Sequence, residues 1–199
     1  PSAGTIREPF SPEEIAGAYE RAGAQAVSVL IDEKYFGGGA DLFQQVRAAT
    51  NLPLLYKEFV VEEWQVWHAA ALGASAVLLI AAALPPPELE QLVDTAEKAG
   101  LEVLFEVHNA EEMAIACQLS AVLTGINNRD LETFEVSLET TLDLMSLAPA
   151  NTTLVSESGI KTRADVERLQ EAGVNGILVG QQLLEGGKDP AAEIARLMP

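Results

Sequence analysis

Seven short runs of apolar, β-branched residues recur roughly 20 to 30 residues apart with amphipathic stretches between them, and this restricts the chain to alternating α/β architectures. The runs cover residues 26–30, 53–59, 76–80, 103–107, 121–126, 153–158 and 176–180. They are nearly continuous in apolar character, the pattern of parallel strands covered on both faces. The intervening stretches carry helix punctuation. Ser11 can cap, Pro12 suits the first helical position, Glu14 completes a capping box, and Gly23 closes the segment. The same grammar recurs in residues 85–100, 109–120 and 162–173, the last of them closed by Gly173.

Strict alternation leaves an open doubly wound sheet or a closed eight-stranded barrel. No G-x-G-x-x-G loop follows a first strand, which weakens the doubly wound alternative. Eight helical segments, from 11–22 to 191–198, accompany only seven strands, and the first helix has no strand before it. The expected fold is therefore a (β/α)8 TIM barrel spanning 1–199 as a single domain, in which the phase of the repeat calls for one more strand upstream of Pro1. A barrel lacking that strand would carry two unpaired edges. Three arrangements would account for it: a shortened chain, a second chain supplying the strand, or exchange of elements within a dimer.

Charge narrows the partners. Twelve basic and thirty acidic residues leave a formal charge of −18, which repels nucleic acid and anionic membrane surfaces. No run of about 18 apolar residues and no signal peptide is visible, and the single Cys117 cannot pair internally, so a cytoplasmic protein is expected. The two histidines and one cysteine lack metal-ligand spacing, and no metal or cofactor is called for. Trp64 and Trp67, three apart on a predicted helix, are expected to pack against the barrel, and His108 to be structural. Gly37-Gly38-Gly39 reads equally as a plain turn or as a flexible loop over a site.

Barrel chemistry sits at the C-terminal ends of the strands. Those ends supply Asp32-Glu33-Lys34, Lys57-Glu58, Glu106 with His108, Asn127-Asn128-Arg129, Glu157-Ser158-Gly159 and Gly180-Gln181. Lys57 can act as an acid or merely pair with Glu58. Glu106 lies between apolar Phe105 and Val107, and a partly dry carboxylate gains proton affinity.

In order and spacing, the segments LLYKEF, LLIAAAL, EVLFEVH, GINNRDLETFEVSLETT, LVSESGI and ILVGQQLL resemble the indole-3-glycerol phosphate synthase family, as do PSAGTIREPF and SVLIDEKYF nearer the start. The resemblance runs from Pro1 to about Leu184. It implies a lyase of tryptophan biosynthesis that closes the ring of 1-(2-carboxyphenylamino)-1-deoxyribulose 5-phosphate with loss of carbon dioxide and water. On that resemblance Lys57 would be the general acid, Glu106 the general base and Asn127 the third catalytic residue. Phe36, Arg129, Glu157 and Ser158 would bind substrate, and Gly159, Gly180 and Gln181 would hold its phosphate.

The chain departs from the family pattern in three places. The first-strand glutamate and lysine are absent, Tyr56 stands where arginine or cysteine often precedes the lysine, and Gln181-Gln182 replace a more usual Glu-Ser. The absent acid leaves open a non-catalytic phosphate-binding barrel or an inactive fragment. The neighbouring family of phosphoribosylanthranilate isomerase is disfavoured, because its cysteine–aspartate pair is not visible.

Overall fold

A computed structural model describes residues 10–131 and 133–198. Apart from Phe10, the opening segment PSAGTIREPF lies outside the described residues, as does Glu132 of the GINNRDLETFEV segment. The strands are β1 (Val27–Leu30), β2 (Leu54–Lys57), β3 (Ala76–Ile80), β4 (Glu102–Val107), β5 (Leu123–Asn127), β6 (Thr153–Glu157) and β7 (Gly176–Leu178). They form one parallel sheet in sequence order, each hydrogen-bonded to the next. This is the order of a (β/α)8 barrel. Among the described residues β7 and β1 are its edges, and no ladder joins them.

Eight helices of six or more residues cover the sheet: α1 (Pro12–Arg21), α3 (Ala40–Ala49), α4 (Glu63–Ala71), α5 (Pro86–Ala99), α6 (Ala110–Gln118), α7 (Glu139–Leu144), α8 (Arg163–Ala172) and α10 (Pro190–Leu197). Two four-residue helices, α2 (Glu33–Phe36) and α9 (Gln181–Leu184), occupy loops that the hydrophobic period is too short to register. Capping follows the residues expected, except that the Glu14 side chain does not complete a box at α1. Ser11 accepts from the Glu14 N–H, Thr162 and Asp165 form a reciprocal box, and Gly100 and Gly173 close α5 and α8 in the left-handed region.

The strand pleat sorts side chains into two sets. Val27, Val29, Leu54, Tyr56, Val77, Leu79, Phe105, Val107 and Ile126 join the helices in the main apolar layer. Leu55, Leu78, Ile80 and Leu104 form a separate cluster, packed by Leu123, Val155 and Leu178, on the opposite face of the sheet. Lys57, Glu106, Asn127 and Glu157 share the parity of that inner set. The barrel interior thus has an apolar floor with an ionic group above it.

Tyr56 falls on the outer set. It is buried against Phe43 and His68, with its hydroxyl 3.2 Å from His68 Nδ1. Its departure from the family pattern therefore lies on the far side of the sheet from Lys57. Trp64 and Trp67 depart from expectation, since they are 59% and 49% exposed and Trp64 donates its indole N–H to Glu62.

The three glycines after α2 form a tight turn. Gly37 caps α2 at φ 66°, and a Cβ on Gly38 would lie 2.3 Å from the Leu30 carbonyl oxygen. Replacing Gly37 by Ala costs only the left-handed penalty of about 1–2 kcal/mol. Gly38→Ala must move backbone and is expected to cost more, about 2–4 kcal/mol. Urea unfolding of the two variants checks the order, which would be reversed if the turn were a loosely held loop.

Candidate active site

Lys57 ends β2, Glu106 lies one residue from the end of β4, Asn127 ends β5 and Glu157 ends β6. The parallel register sets them at neighbouring heights, pairing Glu106 with Gly125 and Asn127 with Glu157. Lys57 Nζ stands 3.5 Å from Glu106 Oε2 and 3.5 Å from Glu157 Oε2. The Asn127 amide donates to Glu106 Oε1 at 3.0 Å. Glu58 takes no part: its carboxylate accepts from the Phe59 N–H, so the simple Lys57–Glu58 pair is not formed.

The side chain of Lys57 is 25% exposed, against 4% for Glu106 and 3% for Glu157, so the lysine is the member of the group that a solute meets first. Burial works against its charge, but Glu157 and Glu106 outweigh burial and raise its pKa.

The two carboxylates diverge. Burial favours the neutral form of Glu106, but His108, Lys57 and the Asn127 amide together hold its pKa down, to about 2. This corrects the expectation that a partly dry Glu106 would gain proton affinity. Its neighbours, not its dryness, decide. Glu157 is the carboxyl pushed up, to about 7, by burial and by the charge of Glu106, with Lys57 acting in the opposite sense. Two carboxyl groups sharing one lysine are thus separated into one of lowered and one of raised proton affinity.

Glu157 fits because Gly125 has no side chain. A Cβ there would lie 2.1 Å from Glu157 Oε1, a buried oxygen with no hydrogen-bond partner among the described residues.

The loops beyond β5 and β6 are tied by a buried polar knot. Asn128 donates to Ser156 Oγ at 2.9 Å and to the Ser158 carbonyl at 3.0 Å. It accepts from the Thr141 N–H at 3.1 Å and the Thr141 hydroxyl at 2.8 Å, and that hydroxyl lies 2.8 Å from Ser156 Oγ. The knot fixes Ser158, held at φ 65°, and with it Gly159 at φ 78°. A Cβ on Gly159 would strike Val136 at 2.5 Å, so glycine is required there by both conformation and space.

Arg129 is the second residue of the β5–α7 connection. Its backbone bridges to Val136 and its N–H donates to Asn127 Oδ1 at 3.1 Å. Gly180 and Gln181 follow edge strand β7, whose Leu178 pairs with Glu157. Phe36 lies in α2 and meets Phe59 with ring centroids 6.5 Å apart, both rings being partly exposed. Phe59, Gly125 and Asn128 had no separate signal in the sequence: the first lies inside the KEF motif, and the other two act only through contacts across strands.

A cavity of about 260 Å³ beside the site is lined by Asn127 together with His108, Asn128, Asp130, Thr133, Glu135, Ser137 and Thr140. Lys57, Glu106, Arg129 and Ser158 do not line it. Among the described residues no group of three or more His, Cys, Asp or Glu side chains is placed to hold a metal ion, and no helix is long and apolar enough to cross a membrane.

A parallel barrel carrying a lysine between two carboxyl groups of divergent proton affinity at its strand ends defines an acid–base enzyme of the TIM-barrel class. Comparison with solved structures gives the same fold. Thiamine phosphate pyrophosphorylase from Pyrococcus furiosus superposes with a TM-score of 0.73 at 20% identity, covering 95% of this chain and 88% of that one. An N-acetylmannosamine-6-phosphate 2-epimerase from Clostridium perfringens gives 0.70 at 15% identity, covering 88% and 82%.

Sequence comparison is more specific. The chain belongs to the indole-3-glycerol phosphate synthase family, whose sequence model matches residues 1–197. Indole-3-glycerol phosphate synthases of Burkholderia vietnamiensis and Burkholderia cenocepacia are each 46% identical to it over 197 residues, 99% of this chain and 75% of theirs.

Gly125→Ala is expected to displace the Glu157 carboxyl and destabilise the fold by about 1–3 kcal/mol, as overpacking does. Pairing it with Glu157→Asp, which shortens the clashing side chain, should recover most of that loss. Thermal unfolding of the single and double variants measures it, and additive losses would contradict the contact.

Proposed function

We propose that this chain closes the indole ring of 1-(2-carboxyphenylamino)-1-deoxyribulose 5-phosphate, releasing carbon dioxide and water to give indole-3-glycerol phosphate. The observation that carries the reading is Lys57 held between Glu106 and Glu157 at the strand ends. Ring closure needs a proton at the substrate carbonyl, a base to take the ring proton as aromaticity returns, and a proton for the departing hydroxyl. The ammonium of Lys57, the most exposed side chain of the group, supplies the first. Glu106, ionised and oriented by the Asn127 amide, takes the second. Glu157, whose proton affinity burial raises so that it holds a proton part of the time near neutrality, is suited to the third.

Phe36 and Phe59 offer an aromatic wall for the anthranilate ring. Arg129 and Ser158 orient the substrate. Backbone N–H groups of Gly159, Gly180 and Gln181 receive the phosphate, so an acidic protein can hold an anion without a cationic cluster. The reaction belongs to cytoplasmic biosynthesis, and among the described residues the edges of β1 and β7 are open to one more strand, whether from this protein's own chain, a second copy or a second chain.

Indole fluorescence on adding the substrate tests the reading directly, and binding without turnover between about pH 6 and 9 would return the protein to the non-catalytic phosphate-binding alternative. Within an active enzyme, Glu106→Gln is expected to lower kcat about 10²-fold while KM stays within about tenfold, the pattern of a lost base. Equal losses in affinity and rate would make Glu106 a binding residue instead.

A further inference from the structure

His108 lies two residues beyond Glu106, where β4 turns into α6, and the reaction as written above does not use it. Its side chain is 9% exposed and sits between two carboxylates. Glu112, one helical turn on, places Oε2 at 2.8 Å from the His108 backbone N–H and 2.9 Å from Nδ1. Its other oxygen accepts from the Asn109 amide at 2.7 Å, and its own N–H is capped by Asn109 Oδ1 at 2.9 Å. On the opposite side Nε2 faces Glu106 Oε1 at 3.2 Å.

Both Glu112 oxygens are engaged as acceptors, so Nδ1 is the donor of its pair. The two atoms stand at ion-pair distance though not aligned for a hydrogen bond, and a bare Nε2 would be a buried nitrogen without a partner among the described residues, set against an ionised carboxylate oxygen. A proton therefore belongs on Nε2 as well. We propose that His108 is a positioning residue for Glu106: held as an imidazolium by Glu112, it keeps the Glu106 carboxylate ionised and aimed into the barrel.

The proposal rests on the reading of Glu106 as the base. The remaining charged groups around it are accounted for. Lys57 of β2 and Glu157 of β6 face Glu106, and Asp130 and Glu135 of the β5–α7 connection share the 260 Å³ cavity with His108. Burial lowers the proton affinity of the imidazole, but Glu106 and Glu112 overcome it and raise its pKa to about 9. The imidazolium also lowers the proton affinity of both Glu106 and Glu157.

The sign follows. A base works only when ionised, so its rate falls as pH drops through its pKa. Removing a neighbouring cation raises that pKa and moves the acidic limb of kcat/KM upward. His108→Gln keeps an N–H donor but not the charge. It is expected to move the limb up by about one pH unit or more, a tenfold loss at a fixed pH below the limb, with KM within about threefold. Glu112→Gln should move it in the same direction by less. Should His108→Gln not fold, Glu112→Gln and the intact protein still decide.

The protein has two histidines, His68 and His108, so long-range proton–nitrogen NMR resolves both rings. His108 is expected to carry protons on both nitrogens at pH 7.5, and to lose one at lower pH in Glu112→Gln than in the unaltered protein. A neutral His108 ring at pH 7.5, or an acidic limb unmoved in both folded variants, overturns the proposal. If the unaltered protein shows no turnover, the functional reading fails by itself and the NMR titration still decides the state of His108.

Discussion

Two buried carboxyl groups share one lysine, and the interior of the barrel is arranged around that shortage of positive charge. Desolvating a carboxylate costs several kcal/mol unless partners compensate. Lys57 can satisfy one of the pair fully, and the Asn127 amide and His108 ring go to Glu106 and not to Glu157. For Glu157 the remaining cost shows as a raised proton affinity. The difference in proton affinity between two chemically identical side chains is thus a product of which strand each occupies. β4 delivers Glu106 beside the β4–α6 turn with its histidine, whereas β6 delivers Glu157 against the empty side of Gly125.

The scaffold supplies this at little cost because the pleat does the sorting. Leu55, Leu104 and Val155 lie two residues before Lys57, Glu106 and Glu157 on the same strands, so the apolar floor and the ionic layer come from one period. The outer residues between them, Tyr56, Phe105 and Ser156, serve the helices. A substitution can therefore alter one face while leaving the other's chemistry in place, as Tyr56 illustrates.

The parallel strands, the long helices and the four residues of the ionic group were legible in the sequence because each rests on a short-range pattern: an apolar run, a cap, or a motif at a strand end. What escaped depends on distances between strands. The low proton affinity of Glu106 comes from His108 and Lys57, and His108 reads as structural until its ring is seen between Glu106 and Glu112. The rings of Trp64 and Trp67 have helical spacing, but the strip they mark faces outward. The four-residue helices α2 and α9 are shorter than the period that would reveal them. The glycine run reads equally as a turn or as a flexible loop, and only the proximity of the Leu30 carbonyl shows Gly38 to be sterically required.

The Asn128–Thr141–Ser156 knot has a consequence for how the molecule opens. It joins β5, α7 and β6 through side chains buried from solvent, so none of the three can separate without leaving polar groups both dry and unpaired. These segments should therefore exchange their amide hydrogens together, as one of the last units to open. The loop bearing Ser158 and Gly159 would then be anchored in the slowest-opening part of the chain, and its left-handed backbone would persist through fluctuations that loosen the rest of the barrel.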